Sequence, residues 1–178
     1  MLNIHLEPEG AGWLKAHISL GDESWDFLAS DLGSNLCEQL VFTAIRLNER
    51  NTEQFLAEQI DMYGEPAGLT LYITREEGKV IIRLYYKEDA DLASKGTLGD
   101  CLKKVESTSS EICEVSYRTL RTLLISYGLE YLSAEWQEFP VGAFIKLHRS
   151  LGHEPVLLYS GLDAELRCLS TMLKGRTL

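Results

Sequence analysis

The chain has 178 residues, of which 45% are hydrophobic and 25% charged, the balance of an ordinary globular protein and not of a disordered or fibrous one. That length is enough for one domain with a substantial core, taken here as residues 1–178. Asp and Glu outnumber Lys and Arg by 27 to 17, a net charge of −10, which repels phosphate backbones and anionic lipid and so argues against nucleic acid and membrane as partners.

Leu2 to Glu7 alternates, with Ile4 and Leu6 on one side and Asn3 and His5 on the other. Pro8-Glu9-Gly10 is turn chemistry. Leu14, Ala16, Ile18 and Leu20 then alternate against Lys15, His17 and Ser19, which predicts a hairpin with one buried and one wetter face. Trp25 to Gly33 fits a short helix, an irregular cover or a strand, and the pattern does not choose among them. From Ser34 the period changes: Leu36, Leu40, Val41, Ala44 and Leu47 form a helical stripe, with Ser34 as its cap. Gln54 to Met62 reads as weakly extended. Leu69 to Lys87 carries the strongest signal in the chain, two apolar runs around Glu76-Glu77-Gly78, and predicts a second hairpin.

Beyond Lys87 the reading turns helical. Thr97-Leu98-Gly99-Asp100 resembles a capping box, with Leu98, Cys101, Leu102 and Val105 following at helical spacing. Ser107 to Ser110 caps a longer helix whose stripe runs from Ile112 to Tyr131 across Gly128. Phe139-Pro140 opens another, with Phe144, Leu147, His148 and Leu151 on one face and Gly152 ending it. Pro155 to Tyr159 reads as a short strand, and Ser160-Gly161-Leu162-Asp163 caps a last, Leu-rich helix. The class is therefore α+β: an antiparallel sheet of about five strands with one helix in residues 1–90, then a mostly helical half in 91–178.

Candidate chemistry is sparse. Cys37, Cys101, Cys113 and Cys168 are scattered without a C-x-x-C pair, so neither disulfide framework nor zinc site is indicated. The opening MLNIHLEPEG lacks a basic stretch followed by an apolar one, and no apolar run reaches the roughly 18 residues of a membrane span; the expected location is cytoplasmic. His5 and His17 fall on the polar sides of neighbouring strands, where pairing brings them together. Surface histidines account for that, since metal sites normally show a fuller ligand set. His148 and His153 suit a helix C-terminus, and Glu135 and Glu138 a solvated helix end. No nucleophile elbow, phosphate loop or dinucleotide fingerprint occurs, and no cofactor or metal is called for.

The acid excess is uneven: residues 1–90 hold 16 acidic against 7 basic side chains, residues 91–178 hold 11 against 10. Trp13, Trp25, Tyr63, Tyr72, Tyr85 and Tyr86 share the acidic half and cannot all point inward on alternating strands. Aromatics among carboxylates suit interface anchors for a cationic protein. Asp22, Glu23, Trp25, Asp61, Tyr63 and Glu65, near strand ends, are the expected partner-binding residues.

The opening hairpin, WDFLASDL before a helix, GEPAG before the LTLYI/KVIIRLYY hairpin, and W-Q-E-F-P leading into FIKLHRSL resemble a group of small bacterial proteins that includes immunity partners of secreted toxins. The resemblance touches about two-thirds of the chain through short motifs set by packing, and none is a catalytic signature. It implies an α+β fold and a toxin-neutralising role, and it transfers no contact residue. The expectation is a non-enzymatic binding protein for a basic toxin domain. The alternatives are a structural or assembly subunit that uses its Leu-rich C-terminal helix as an interface, in a homo-oligomer, and a small enzyme with a dispersed site led by His5 and His17.

Overall fold

The computed structural model describes residues 1–31, 35–49, 55–76, 79–88 and 98–152. Strands β1 (Leu2–Gly10), β2 (Trp13–Leu20) and β3 (Glu23–Ser30) form one antiparallel meander. Helix α1 (Leu36–Glu49) follows. Strands β4 (Leu56–Tyr63), β5 (Gly68–Glu76), β6 (Lys79–Lys87) and β7 (Asp100–Ser107) form a second meander, and α2 (Ser109–Glu135) and α3 (Val141–Ser150) come after it. The class is α+β. The strands make two sheets, of three and four members, where a single sheet of about five was expected.

Alternation explains each meander. Leu2, Ile4 and Leu6 of β1 and Leu14, Ala16, Ile18 and Leu20 of β2 are all buried, and the residues between them are half-buried or exposed. In the second sheet Ile60, Leu71 and Leu84 lie side by side across three strands, as do Glu58, Ile73 and Ile82. One hydrophobic cluster draws on both sheets and all three helices.

Side chains from the helices explain why the sheets stay separate. Gln39 of α1 lies along the outer edge of β4, where its amide donates to the Asp61 carbonyl at 3.1 Å and its oxygen accepts the Asp61 N–H at 2.7 Å. It satisfies the groups another strand would use. On the far sheet, the Thr119 hydroxyl of α2 donates to the Ile4 carbonyl of edge strand β1 at 2.7 Å. α1 is also pinned to β4 by Arg46, whose Nε donates to buried Glu58 at 2.6 Å while Nη2 holds the other carboxylate oxygen.

The structure decides one segment left open by the sequence and changes other expectations. WDFLAS, left open above, is strand β3. The helix expected from Thr97 through Val105 is strand β7 from Asp100 onward. Pairing against β6 decides it: Val105 sits opposite Ile82 and Lys103 opposite Leu84, with a bulge after Leu84. The capping box lies further on, where Thr108 Oγ1 accepts the Glu111 N–H and the Glu111 carboxylate accepts the Thr108 N–H, both at 3.1 Å. Residues 91–178 are thus not uniformly helical. Gly128 breaks α2 with φ 79° and ψ 165°, so the stripe from Ile112 to Tyr131 belongs to two helical pieces. The strand expected at 155–159 and the last helix lie outside the described residues. No helix among those described is long and apolar enough to cross a membrane.

Candidate binding face

Helices cover the inner face of the three-stranded sheet, and no described helix covers its outer face. Register places the outward residues in rows: Asn3, Ser19 and Ser24; His5, His17 and Asp26; Glu7, Lys15 and Leu28; then Trp13, whose partner Ser30 is buried. His5 and His17 are direct cross-strand partners, as the alternation implied. His17 Nδ1 lies 2.7 Å from Asp26 Oδ1, and this bond, ahead of the charge of Lys15, holds the Asp26 carboxyl below the usual carboxylate range. His5 Nε2 lies 3.0 Å from Glu7 Oε1.

The order Ser19, His17, Asp26 has the sequence of groups in a nucleophilic triad. Its geometry is loose, since Ser19 Oγ is 3.4 Å from His17 Nε2 and 2.9 Å from Ser24 Oγ. The side chains of His17 and Asp26 are 44% and 60% exposed, so water screens the interaction that a buried triad would strengthen.

Beside these rows lies a depression of about 520 Å3 lined by Glu9, Gly10, Trp13, Lys15, Asp26, Phe27 and Leu28. That volume suits a small molecule or one or two side chains of a partner. Leu28 is 47% exposed, a large aliphatic group held in water on a rigid strand. Trp13 supplies an aromatic wall, and Glu9 is exposed at the rim. The β1–β2 turn that frames the depression is anchored. Gly10, Ala11 and Gly12 all have positive φ, and the Ala11 N–H donates to Glu135 Oε2 at 3.2 Å and the Gly12 N–H to the Glu135 carbonyl at 2.9 Å. Gly12 has φ 80°, a backbone conformation that favours glycine, and a Cβ there would also push the Asp31 carboxylate aside from 2.7 Å.

The six residues expected to bind a partner are dispersed. Asp22 and Glu23, in and after the β2–β3 turn, both accept from Lys103 Nζ, at 2.7 and 2.5 Å. That ion pair lowers the Asp22 carboxyl and raises the Lys103 ammonium. Trp25 sits opposite Ile18 on the core side of its sheet. Asp61 accepts from Gln59 at 2.8 Å and Thr70 at 2.7 Å. Half-buried Tyr63 has its phenol pushed up by burial and then by Asp61. Glu65 is exposed in the β4–β5 turn, where the Glu65-Pro66 bond is cis. Gly64 of this turn packs against β3, where a Cβ would collide with the Leu28 carbonyl.

Of the six aromatics, Tyr86 packs toward the core with Trp25, while Tyr72 and Tyr85 make an edge contact on the outer face of the second sheet, 6.4 Å between centroids. His148, placed at a helix C-terminus, is buried there with Nδ1 2.8 Å from the Tyr117 hydroxyl. His153 lies outside the described residues. Glu9, Lys15 and Leu28 were not singled out from the sequence. Parity in β2 assigns Trp13 and Lys15 outward, but the outward turn of Leu28 follows only once WDFLAS is a strand. The chain matches no known protein-family model, no curated protein and no solved structure.

Proposed function

We propose that this chain is a non-enzymatic binding protein that captures a basic protein partner on the outer face of its three-stranded sheet. Its concrete form, drawn from the resemblance in sequence, is an immunity protein that neutralises a cationic toxin. The observation that carries the reading is the depression that joins Trp13 and exposed Leu28 to the rim carboxylate of Glu9. Such a site takes an Arg or Lys of the partner, with its aliphatic stem over Leu28, its cation against the Trp13 ring and its charge met by Glu9.

Net acidity speeds encounter with a cation, while the apolar anchors set how long the complex lasts. Asp22 and Glu23 fit this role less well than Glu9, because their charge is already answered by Lys103.

The test begins with the neighbouring gene: if a secreted protein is encoded directly upstream, its C-terminal domain is purified and titrated against this chain at low salt. Leu28→Asp and Trp13→Ala are expected to weaken binding tenfold or more through faster dissociation. Glu9→Lys should slow association and flatten its salt dependence. Lys substitutions at Asp22 and Glu23 should change affinity less than threefold. Unchanged affinity in both Leu28→Asp and Trp13→Ala would remove this face from the function.

A further inference from the structure

We propose that His5 and His17 form a two-histidine chelate for a late first-row divalent metal ion, with Asp26 and Glu7 orienting the imidazoles. The inference is independent of the partner assigned to the depression. The two residues are direct cross-strand neighbours on the outer face, a placement that sets Cβ atoms about 4.5–5.5 Å apart. Imidazole nitrogens reach one ion at about 2.0–2.1 Å from such a base. Both side chains are half in water, 49% exposed for His5 and 44% for His17, so an ion enters without local unfolding.

The hydrogen bonds supply the second observation. Each imidazole has one nitrogen on a carboxylate: His17 Nδ1 on Asp26 at 2.7 Å and His5 Nε2 on Glu7 at 3.0 Å. Metal-binding histidines are held in this way, because a carboxylate on one nitrogen fixes the tautomer and leaves a more basic lone pair on the other. On His17 that lone pair is at Nε2, whose contact is the long one to the Ser19 hydroxyl. On His5 it is at Nδ1. Among the described residues no three His, Cys, Asp or Glu side chains converge on one point. A chelate of two protein ligands follows, its carboxylates on the outer nitrogens and its remaining positions filled by water. Imidazole with water suits Zn(II), Ni(II) or Cu(II) and not Mg(II) or Ca(II).

The full chain, with exposed Cys101 changed to Ser to remove a competing thiol, is titrated with Zn(II) and separately with Mg(II) by calorimetry at pH 7.5. Zn(II) is expected to bind at one equivalent through this site and Mg(II) to give no heat. His5→Ala and His17→Ala should each weaken Zn(II) tenfold or more, with thermal unfolding of the metal-free variants unchanged. Asp26→Asn should weaken it about tenfold, the size of effect typical of an orienting group, and imidazole NMR signals of His5 and His17 should move together on addition of metal. A loss smaller than tenfold in either histidine variant, or signals that stay in place, overturns the proposal.

Discussion

At the scale of single residues, burial decides which side chains have chemistry to offer. In the sequence Cys37, Cys101 and Cys113 are alike, scattered cysteines with no pair between them, and the fold divides them. Cys37 is fully enclosed beneath α1, and burial pushes its thiol up to about 12, with Glu38 adding to the shift. Cys113 donates to the Ala44 carbonyl at 3.2 Å, and burial lifts its thiol to about 11. Cys101, on β7, is exposed. Thiolate is the reactive form, so at pH 8 an alkylating reagent should modify Cys101 within minutes and spare Cys37 and Cys113 until the protein is unfolded. Peptide mapping by mass spectrometry checks this, and rapid labelling of Cys37 in the folded protein would contradict its enclosure. The division was illegible in the sequence for one reason: Cys101 was read on a helix stripe, and a strand at a sheet edge exposes what a packed helix would bury.

At the scale of elements, strong periodicity was readable and weak periodicity was not. The hairpin of β5 and β6 and that of β1 and β2 follow from alternation alone, down to His5 facing His17. α1 also follows from its stripe, although the described cap is Asn35, whose side-chain oxygen accepts the Glu38 N–H at 3.1 Å. What failed was β7, because Leu98, Cys101, Leu102 and Val105 satisfy a helical period as well as they satisfy no other. The open edge of β6 decided the matter, and an edge is a property of the assembled sheet. The candidate face was half legible for the same reason, since Trp13 and Lys15 had a readable parity and Leu28 did not. Gln39 is the clearest element-scale contribution that no pattern announces. It takes both backbone groups of Asp61 at the edge of β4. Gln39→Ala leaves those groups without their partner, and should cost about 1–3 kcal/mol. Denaturant unfolding measures the loss, and hydrogen exchange should place it at the Asp61 amide. Protection there equal to the wild type would show that the clamp does not hold the edge.

At the scale of the whole molecule, the two meanders share a core but have separate hydrogen-bond networks, so the links between them set how they move together. Lys103 is one such link, since it leaves β7 of the larger sheet and holds Asp22 and Glu23 at the β2–β3 turn of the smaller. The pH dependence follows from the shifts. The Asp22 carboxyl is held below its usual value of 3.8 by the hydrogen bond from Lys103, so its contribution to stability is present above that pH and is lost as pH falls through the depressed value. The Lys103 ammonium is raised above 10.5, first by Asp22 and then by Glu23. Its contribution is present below that pH and is lost as pH rises through the raised value. Lys103→Met removes both ends of the window at once. The difference in melting temperature between wild type and Lys103→Met should be flat between these limits, shrink on either side, and shrink at all pH values in molar salt, because the pair is exposed enough to be screened. In a Trp136→Phe background used for both proteins, which removes the tryptophan at the end of α2, Trp13 and Trp25 report the smaller sheet by fluorescence, whereas circular dichroism reports every element. With one core cluster spanning both sheets, the two signals should melt together in the wild type and in the variant. A fluorescence transition that precedes the dichroism transition only in Lys103→Met would mean that this ion pair, and not the shared core, is what makes the sheets unfold as one.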